Sequence, residues 1–169
     1  MAEVYIAIGS NLGNRLEYLR NAVNSLNKVG KVLAIAKLYQ SGAYGYSRQP
    51  SFYNSAVLLE TKLAPVELLN ALKNIEKKGG RKKRVRWGPR EIDLDIIFYD
   101  QKMLQTKQLT LPHPDFHNRR FVLQPLADIA PDFVSPTHRK SVLELLNNCQ
   151  DSTKNKLIET EWYSNGTQI

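Results

Sequence analysis

The sequence predicts an α+β sandwich, a mixed or antiparallel sheet with helices on its faces, and three observations carry that prediction. Two stretches hold apolar residues at helical spacing, Leu16, Leu19, Val23 and Leu26 in one and Leu68, Leu69, Leu72 and Ile75 in the other. Each lies between segments of β type, giving two strand–helix–strand passes, and further strands follow outside them. The strands are too few, and the helices too unevenly placed, for a parallel doubly wound sheet.

The elements follow in order. Residues 4–8 form a short apolar run with β-branched residues and an early Gly9, a first strand. Gly9-Ser10-Asn11-Leu12-Gly13-Asn14 is a turn cluster, with Asn14 placed to cap the first helix and Gly30 to end it. A strand, a glycine turn and a helix resemble a phosphate cradle, but both the dinucleotide fingerprint and the GK[ST] ending are missing. Residues 32–39 read as a second strand, 40–50 as a loop, and 52–59 as a third strand with Asn54 early in it. Ala64-Pro65 opens the second helix, since proline suits a first turn, and Gly79-Gly80 closes it. Residues 93–99 form a fourth strand, followed by a turn at 100–102 and a short return near Met103-Leu104. Leu111-Pro112-His113-Pro114 forbids helix or central strand. Residues 121–129 form a third helix despite Pro125, and 142–146 a fourth. Beyond Asp151 the polar tail, 151–169, is expected to fray.

One domain covering 1–169 is expected, with a core large enough to stand alone. Hydrophobic content of 42% beside 24% charged residues suits a soluble globular protein. No apolar run approaches the roughly 18 residues that span a bilayer, so no membrane partner is expected. The first residues lack a basic n-region and a cleavable apolar region, and a cytoplasmic location is expected. A single cysteine, Cys149, excludes an internal disulfide and a cysteine-based zinc site. The net charge of +8 calls for an anionic partner, and residues 77–90 alone hold eight Lys/Arg and no acid. By composition that run also fits a solvated basic loop.

The segment 81–99, RKKRVRWGPREIDLDIIFY, concentrates the chemistry. Side chains two apart on a strand share a face, so Asp93 and Asp95 point one way and Leu94 and Ile96 the other. Paired carboxylates resist ionising unless a cation lies between them, and oxygen-only ligands on a rigid strand suit Mg²⁺. An edge strand with solvent-facing aspartates and an apolar back is the plainer reading. Arg90, three residues before Asp93, either pairs with the aspartates or clamps phosphates. Trp87 among Arg84, Arg86 and Arg90 either stacks on bases or orders a loop beside a nucleotide. His113 and His117 are four apart, but Pro114 and the missing third nitrogen ligand argue against zinc. His113 is better placed as a phosphate hydrogen-bond donor. Phe52 and Phe121 are core residues by composition.

The run Arg86-Trp87-Gly88-Pro89-Arg90-x-x-Asp93-Leu94-Asp95-Ile96-Ile97 resembles the signature of the 6-hydroxymethyl-7,8-dihydropterin pyrophosphokinases of folate biosynthesis. The resemblance extends to Ile6-Ala7-Ile8-Gly9-Ser10-Asn11-Leu12-Gly13, to Gln49-Pro50 through Phe52-Tyr53-Asn54-Ser55-Ala56-Val57, to Leu111-Pro112-His113-Pro114, and to Asn118-Arg119-Arg120-Phe121-Val122-Leu123-x-Pro125-Leu126. It implies a ferredoxin-like α+β fold and transfer of pyrophosphate from ATP to the pterin's hydroxymethyl oxygen, leaving AMP. It further implies two Mg²⁺ ions on Asp93 and Asp95, and a pterin ring between Phe52 and Phe121. Asn54 and the segment Ser41, Gly42, Ala43 and Tyr44 would bond the ring's edge. Arg81, Lys83, Arg86, Trp87 and Arg90 would belong to a catalytic loop over ATP. Thr110, His113 and Arg119 would contact its phosphates or sugar, and Leu69, Lys73 and Ile96 its base side, with Glu76 near the substrates. The partners implied are ATP and the pterin, with no nucleic acid, and the protein is expected to act as a monomer.

Three departures stand out. Gly42-Ala43-Tyr44 replaces a frequent Pro-Pro-Leu, Gln108 replaces a frequent arginine, and the basic loop is one residue short, so Lys83 and Arg84 compete for one role. The chief rival is a basic RNA-binding domain using Phe52-Tyr53 and Phe98-Tyr99 as a stacking platform. A structural protein docking an acidic partner through its basic loop is the other.

Overall fold

The computed structural model describes residues 1–42, 50–80 and 90–164. Its sheet runs β5-β1-β4-β3-β8, with β2 also paired to β4, and every pairing is antiparallel. The strands are β1 (Ala2–Ser10), β2 (Lys31–Ile35), β3 (Leu38–Ser41), β4 (Phe52–Thr61), β5 (Asp93–Tyr99) and β8 (Asn155–Glu159). Two short strands, β6 (Leu104–Gln105) and β7 (Thr110–Leu111), form a separate hairpin. The helices are α1 (Arg15–Val29), α2 (Pro65–Lys78), α3 (Arg120–Ile129) and α4 (Val142–Asn147). The order β1-α1-β2/β3-β4-α2-β5, with β4 inserted beside β1, is the ferredoxin-like arrangement and resolves the mixed-or-antiparallel alternative as antiparallel. No helix among the described residues is long and apolar enough to cross a membrane.

Local chemistry accounts for the boundaries. Asn14 Oδ1 accepts the Glu17 N–H at 3.2 Å and caps α1, whose Leu19, Ala22, Val23 and Leu26 are buried. Gly30 ends α1 where a Cβ would collide with the Glu60 carbonyl, so the close approach to β4 requires glycine. Pro65 fills the first turn of α2, and Glu67 Oε1 reaches back to the Ala64 N–H at 3.0 Å.

The sheet separates two apolar layers. On one side Val4, Ile6, Ile8, Leu94 and Ile96 pack with Leu19, Val23 and Leu26 of α1 and Leu68 and Leu72 of α2. On the other, Ala56 and Phe98 pack with Phe116, Val122, Leu123 and Leu126 beneath α3 and α4. Each buried leucine of these layers contributes on the order of 1.5–3 kcal/mol.

Three expectations change. The strand expected over residues 32–39 is two strands, because Ile35 pairs with Val57 and Tyr39 with Asn54, an extra residue on one side that bulges the edge. That bulge turns the Lys37 N–H to Asp128 Oδ2 at 3.3 Å, and β3 continues through Gln40 and Ser41, which were expected in a loop. The short return expected near Met103-Leu104 is present and pairs with β7. The tail expected to fray instead adds β8 to β3, and Trp162, 2% exposed, donates its indole N–H to the Ala36 carbonyl at 2.8 Å. Helix patterning cannot reveal this, since an edge strand with one anchoring tryptophan is polar elsewhere.

Candidate active site

The α3 side of the sheet carries a cleft at the end of β1 where that strand runs out. Antiparallel register sets Asp93 opposite Gly9 and Gly9 opposite Asn54; two residues further, Asp95 faces Ala7 and Ala7 faces Ala56. The central positions of these rows are small. A Cβ on Gly9 would lie 3.0 Å from Asn54 Oδ1 and 3.5 Å from the Phe52 ring, so the glycine keeps open the floor between Asn54 and Asp93. With strands about 4.8 Å apart, those two backbones stand roughly 10 Å from one another. Phe52, Asn54, Arg90, Asp93, Asp95, Arg119 and Phe121 line one cleft.

Each side chain is held. Asn54, 4% exposed, donates through Nδ2 to Ser41 Oγ at 2.7 Å, which fixes its amide. Gly42 follows Ser41 at the surface. Arg119 sits just before α3, its Nε bound to Asp115 Oδ2 at 3.1 Å and its guanidinium 5.9 Å from the Phe121 ring. Arg90 Nη1 donates to Asp93 Oδ2 at 3.1 Å. The alternation read from the sequence holds: Asp93 and Asp95 are half-buried on the cleft side while Leu94 and Ile96 enter the α1/α2 layer.

Burial first, then the neighbouring charges of Asp93 and Glu76, push the Asp95 carboxyl up from 3.8 to about 8; Arg119 and Arg90 pull the other way and are outweighed. His113 goes in the opposite direction. Burial, then Arg119, lowers it from 6.5 to about 4, so the ring is neutral at pH 7. Its Nδ1 accepts the Asp115 N–H at 3.1 Å, which leaves the proton on Nε2 as a donor.

The other expected residues are placed as follows. Thr110 and His113 lie on and just after β7 and line a second cavity, of about 500 Å³, that shares no lining residue with the cleft. Leu69 and Ile96 pack in the α1/α2 layer, behind the sheet from the phenylalanines, with Lys73 exposed on α2. Glu76 is buried there, and its Oε2 accepts the Leu94 N–H of the edge strand at 2.8 Å. Ala43, Tyr44, Arg81, Lys83, Arg86 and Trp87 lie outside the described residues. Gly9, Asn11 and Arg15 are not read from the sequence as site residues; the turn that holds the first two, and the family resemblance that runs through it, are their signals. Phe98 and Tyr99 are 1% and 7% exposed, so they offer bases no stacking platform. Among the described residues no group of three or more His, Cys, Asp or Glu could hold a metal, so an ion at the cleft would have two carboxylates there and would need its further ligands from a substrate.

Cations and a carboxylate pair that share one cleft with two phenylalanines, on a ferredoxin-like sheet, are the parts a transferase of the kinase class uses. Residues 5–131 match the family model of 7,8-dihydro-6-hydroxymethylpterin-pyrophosphokinase. The 2-amino-4-hydroxy-6-hydroxymethyldihydropteridine pyrophosphokinase of Aquifex aeolicus is 41% identical over 144 residues, covering 85% of this chain and 90% of its own. That of Haemophilus influenzae is 38% identical over 159 residues, covering 93% and 99%. Folic acid synthesis protein fol1 of Pneumocystis carinii is 44% identical over 140 residues, 82% of this chain but 19% of that longer protein. In fold, the wild-type HPPK-DHPS of Plasmodium falciparum superposes with a TM-score of 0.67 at 16% identity, over 87% of this chain and 43% of that one. The chain belongs to the 7,8-dihydro-6-hydroxymethylpterin-pyrophosphokinase family, and its activity is pyrophosphoryl transfer to hydroxymethyldihydropterin in folate biosynthesis.

Proposed function

We propose that this cleft transfers the pyrophosphoryl group of ATP to the hydroxymethyl oxygen of 6-hydroxymethyl-7,8-dihydropterin, releasing AMP. The observation that carries the reading is that Phe52 and Phe121 line the same cleft as the Asp93/Asp95 pair. A flat heteroaromatic ring fits between two phenylalanines, and the fixed amide of Asn54 bonds its edge, with Ser41 and Gly42 bordering it.

The hard oxygen donors of Asp93 and Asp95 fit Mg²⁺, which takes one or two carboxylates and completes its octahedron with phosphates and water. Two Mg²⁺ ions held by Asp93 and Asp95 would supply charge neutralisation for the transferred phosphates. The chain's own groups do the rest. Arg90 and Arg119 flank the carboxylates and neutralise phosphate oxygens, and His113 donates from Nε2. Thr110 receives the nucleotide's sugar, the base meets Leu69, Lys73 and Ile96 only by passing around the outer edge of β5, and Glu76 fixes that strand, which carries both aspartates. The roles that the family resemblance implies for Arg81, Lys83, Arg86 and Trp87 toward the phosphates, and for Ala43 and Tyr44 toward the pterin, fall on residues outside those described. Positioning and electrostatics suffice because the transferred group needs no covalent help from the protein. The reaction runs in a single chain in the cytoplasm.

Calorimetry with a non-hydrolysable ATP analogue tests this assignment. Binding is expected to require Mg²⁺, and Asp95→Ala is expected to remove the Mg²⁺-dependent part. Nucleotide binding that ignores Mg²⁺ in both proteins would sink the metal site.

A further inference from the structure

The turn joining β1 to α1 carries Asn11, which is 0% exposed. Its backbone N–H donates to the Arg90 carbonyl at 3.1 Å, and its Oδ1 accepts the Arg90 N–H at 2.7 Å. Its Nδ2 donates to the Pro50 carbonyl at 3.0 Å. One side chain thus joins two points that lie 39 and 79 residues away along the chain. Both points border the cleft. Pro50 stands two residues before Phe52, and Arg90 stands three before Asp93 and bonds to it. Arg15, at the start of α1, braces the first point, donating through Nη1 to Ser51 O at 2.9 Å and Ser51 Oγ at 3.0 Å. Its guanidinium lies 3.9 Å from the Tyr53 ring centroid. The turn that resembles a phosphate cradle in sequence therefore directs its asparagine inward, at protein backbone.

We propose that Asn11 is a positioning residue of pyrophosphoryl transfer, a strut that fixes the acceptor side of the cleft at Pro50–Phe52 against the transfer side at Arg90–Asp93. The inference rests on the roles proposed for Phe52 and Arg90. Its physical ground is that transfer depends on near-attack geometry, where a shift of about 1 Å costs on the order of a hundredfold in rate. The strut contributes by holding backbone at two points, and it touches neither the reacting oxygen nor the phosphates.

The test measures kcat, both KM values and melting temperature for Asn11→Ala, Asn11→Asp, Arg90→Ala and the Asn11→Ala/Arg90→Ala double variant. Asn11→Ala is expected to lower kcat by about thirtyfold or more, and by less than about threefold when Arg90 is already alanine: Arg90→Ala keeps the backbone N–H and carbonyl that Asn11 bonds but removes the guanidinium whose placement those bonds set. Asn11→Asp keeps the oxygen that receives the Arg90 N–H and loses the donor to Pro50. It is expected to raise the pterin KM about tenfold while kcat stays within about threefold. Additive kcat losses in the double variant, or an Asn11→Asp enzyme with the wild-type pterin KM, overturn the proposal. If Asn11→Ala does not fold, the Asn11→Asp result decides alone. An Arg90→Ala enzyme of full kcat would remove the role proposed for Arg90 and leave the strut to the Asn11→Asp measurement.

Discussion

Arg90 Nη1 and Asp93 Oδ2 are 3.1 Å apart, three residues from one another in sequence and both partly exposed at the mouth of the cleft. An ion pair so placed adds little to stability, since exposed pairs are worth roughly 0–1 kcal/mol. Its consequence is orientation. The guanidinium is held where phosphate oxygens would meet the carboxylates. Arg90→Ala should therefore lower kcat by about 10²–10³, the loss typical of one preorganised charge-stabilising donor. The pterin KM should move by less than about threefold. Steady-state kinetics with both substrates decides this, and a loss confined to pterin affinity would place Arg90 on the acceptor side instead.

Asp95 makes opposite demands on stability and activity. In the ligand-free protein its carboxyl is raised from 3.8 to about 8 by burial, Asp93 and Glu76. Between those pH values the folded chain keeps a proton that the unfolded chain has released, so stability falls as pH rises through the window. Asp95→Asn should flatten that slope and raise the melting temperature at alkaline pH, while nearly abolishing turnover. Thermal melts across the window compare the two proteins. Equal slopes would mean that another group governs the dependence.

Gly9 is a steric requirement of the floor beside Asn54, on the side proposed for the pterin. An added methyl would lie 3.0 Å from Asn54 Oδ1, and the amide that Ser41 holds would have to shift. Gly9→Ala should leave the fold intact and raise the pterin KM by about tenfold. An unchanged pterin KM would show that the ring does not approach this floor.

The C-terminal segment is structural. Trp162 fills the α1/α2 layer and its indole bonds the Ala36 carbonyl, while Arg20 Nε donates to the Trp162 carbonyl at 2.8 Å. Trp162→Ala should cost about 3–5 kcal/mol. Urea unfolding measures it, and a loss below about 1 kcal/mol would mean that β8 and its anchor are dispensable.

What the sequence discloses follows from where each signal lies. Both long helices, the cap at Asn14 and the first-turn Pro65, and the strand at residues 93–99 are local patterns of period and punctuation, and the structure reproduces them. The Asp93/Asp95 face follows from strand alternation alone. The joining of Phe52 to Phe121 does not, because it depends on α3 crossing the sheet, and only family resemblance pairs those residues. Gly9 gains its meaning from the register that sets it between Asp93 and Asn54. Asn11 gains its meaning from backbone partners far along the chain. The bulge between β2 and β3, and the return of β8 to β3, are likewise long-range pairings that no local period announces.

The most direct test of pyrophosphoryl transfer in this cleft is nucleotide product analysis. Purified protein is incubated with ATP, Mg²⁺ and 6-hydroxymethyl-7,8-dihydropterin, and the products are separated by chromatography. AMP and the pterin diphosphate should form in equal amounts, with neither appearing when Mg²⁺ or the pterin is left out. ADP in place of AMP, or AMP formed without the pterin, would contradict the account.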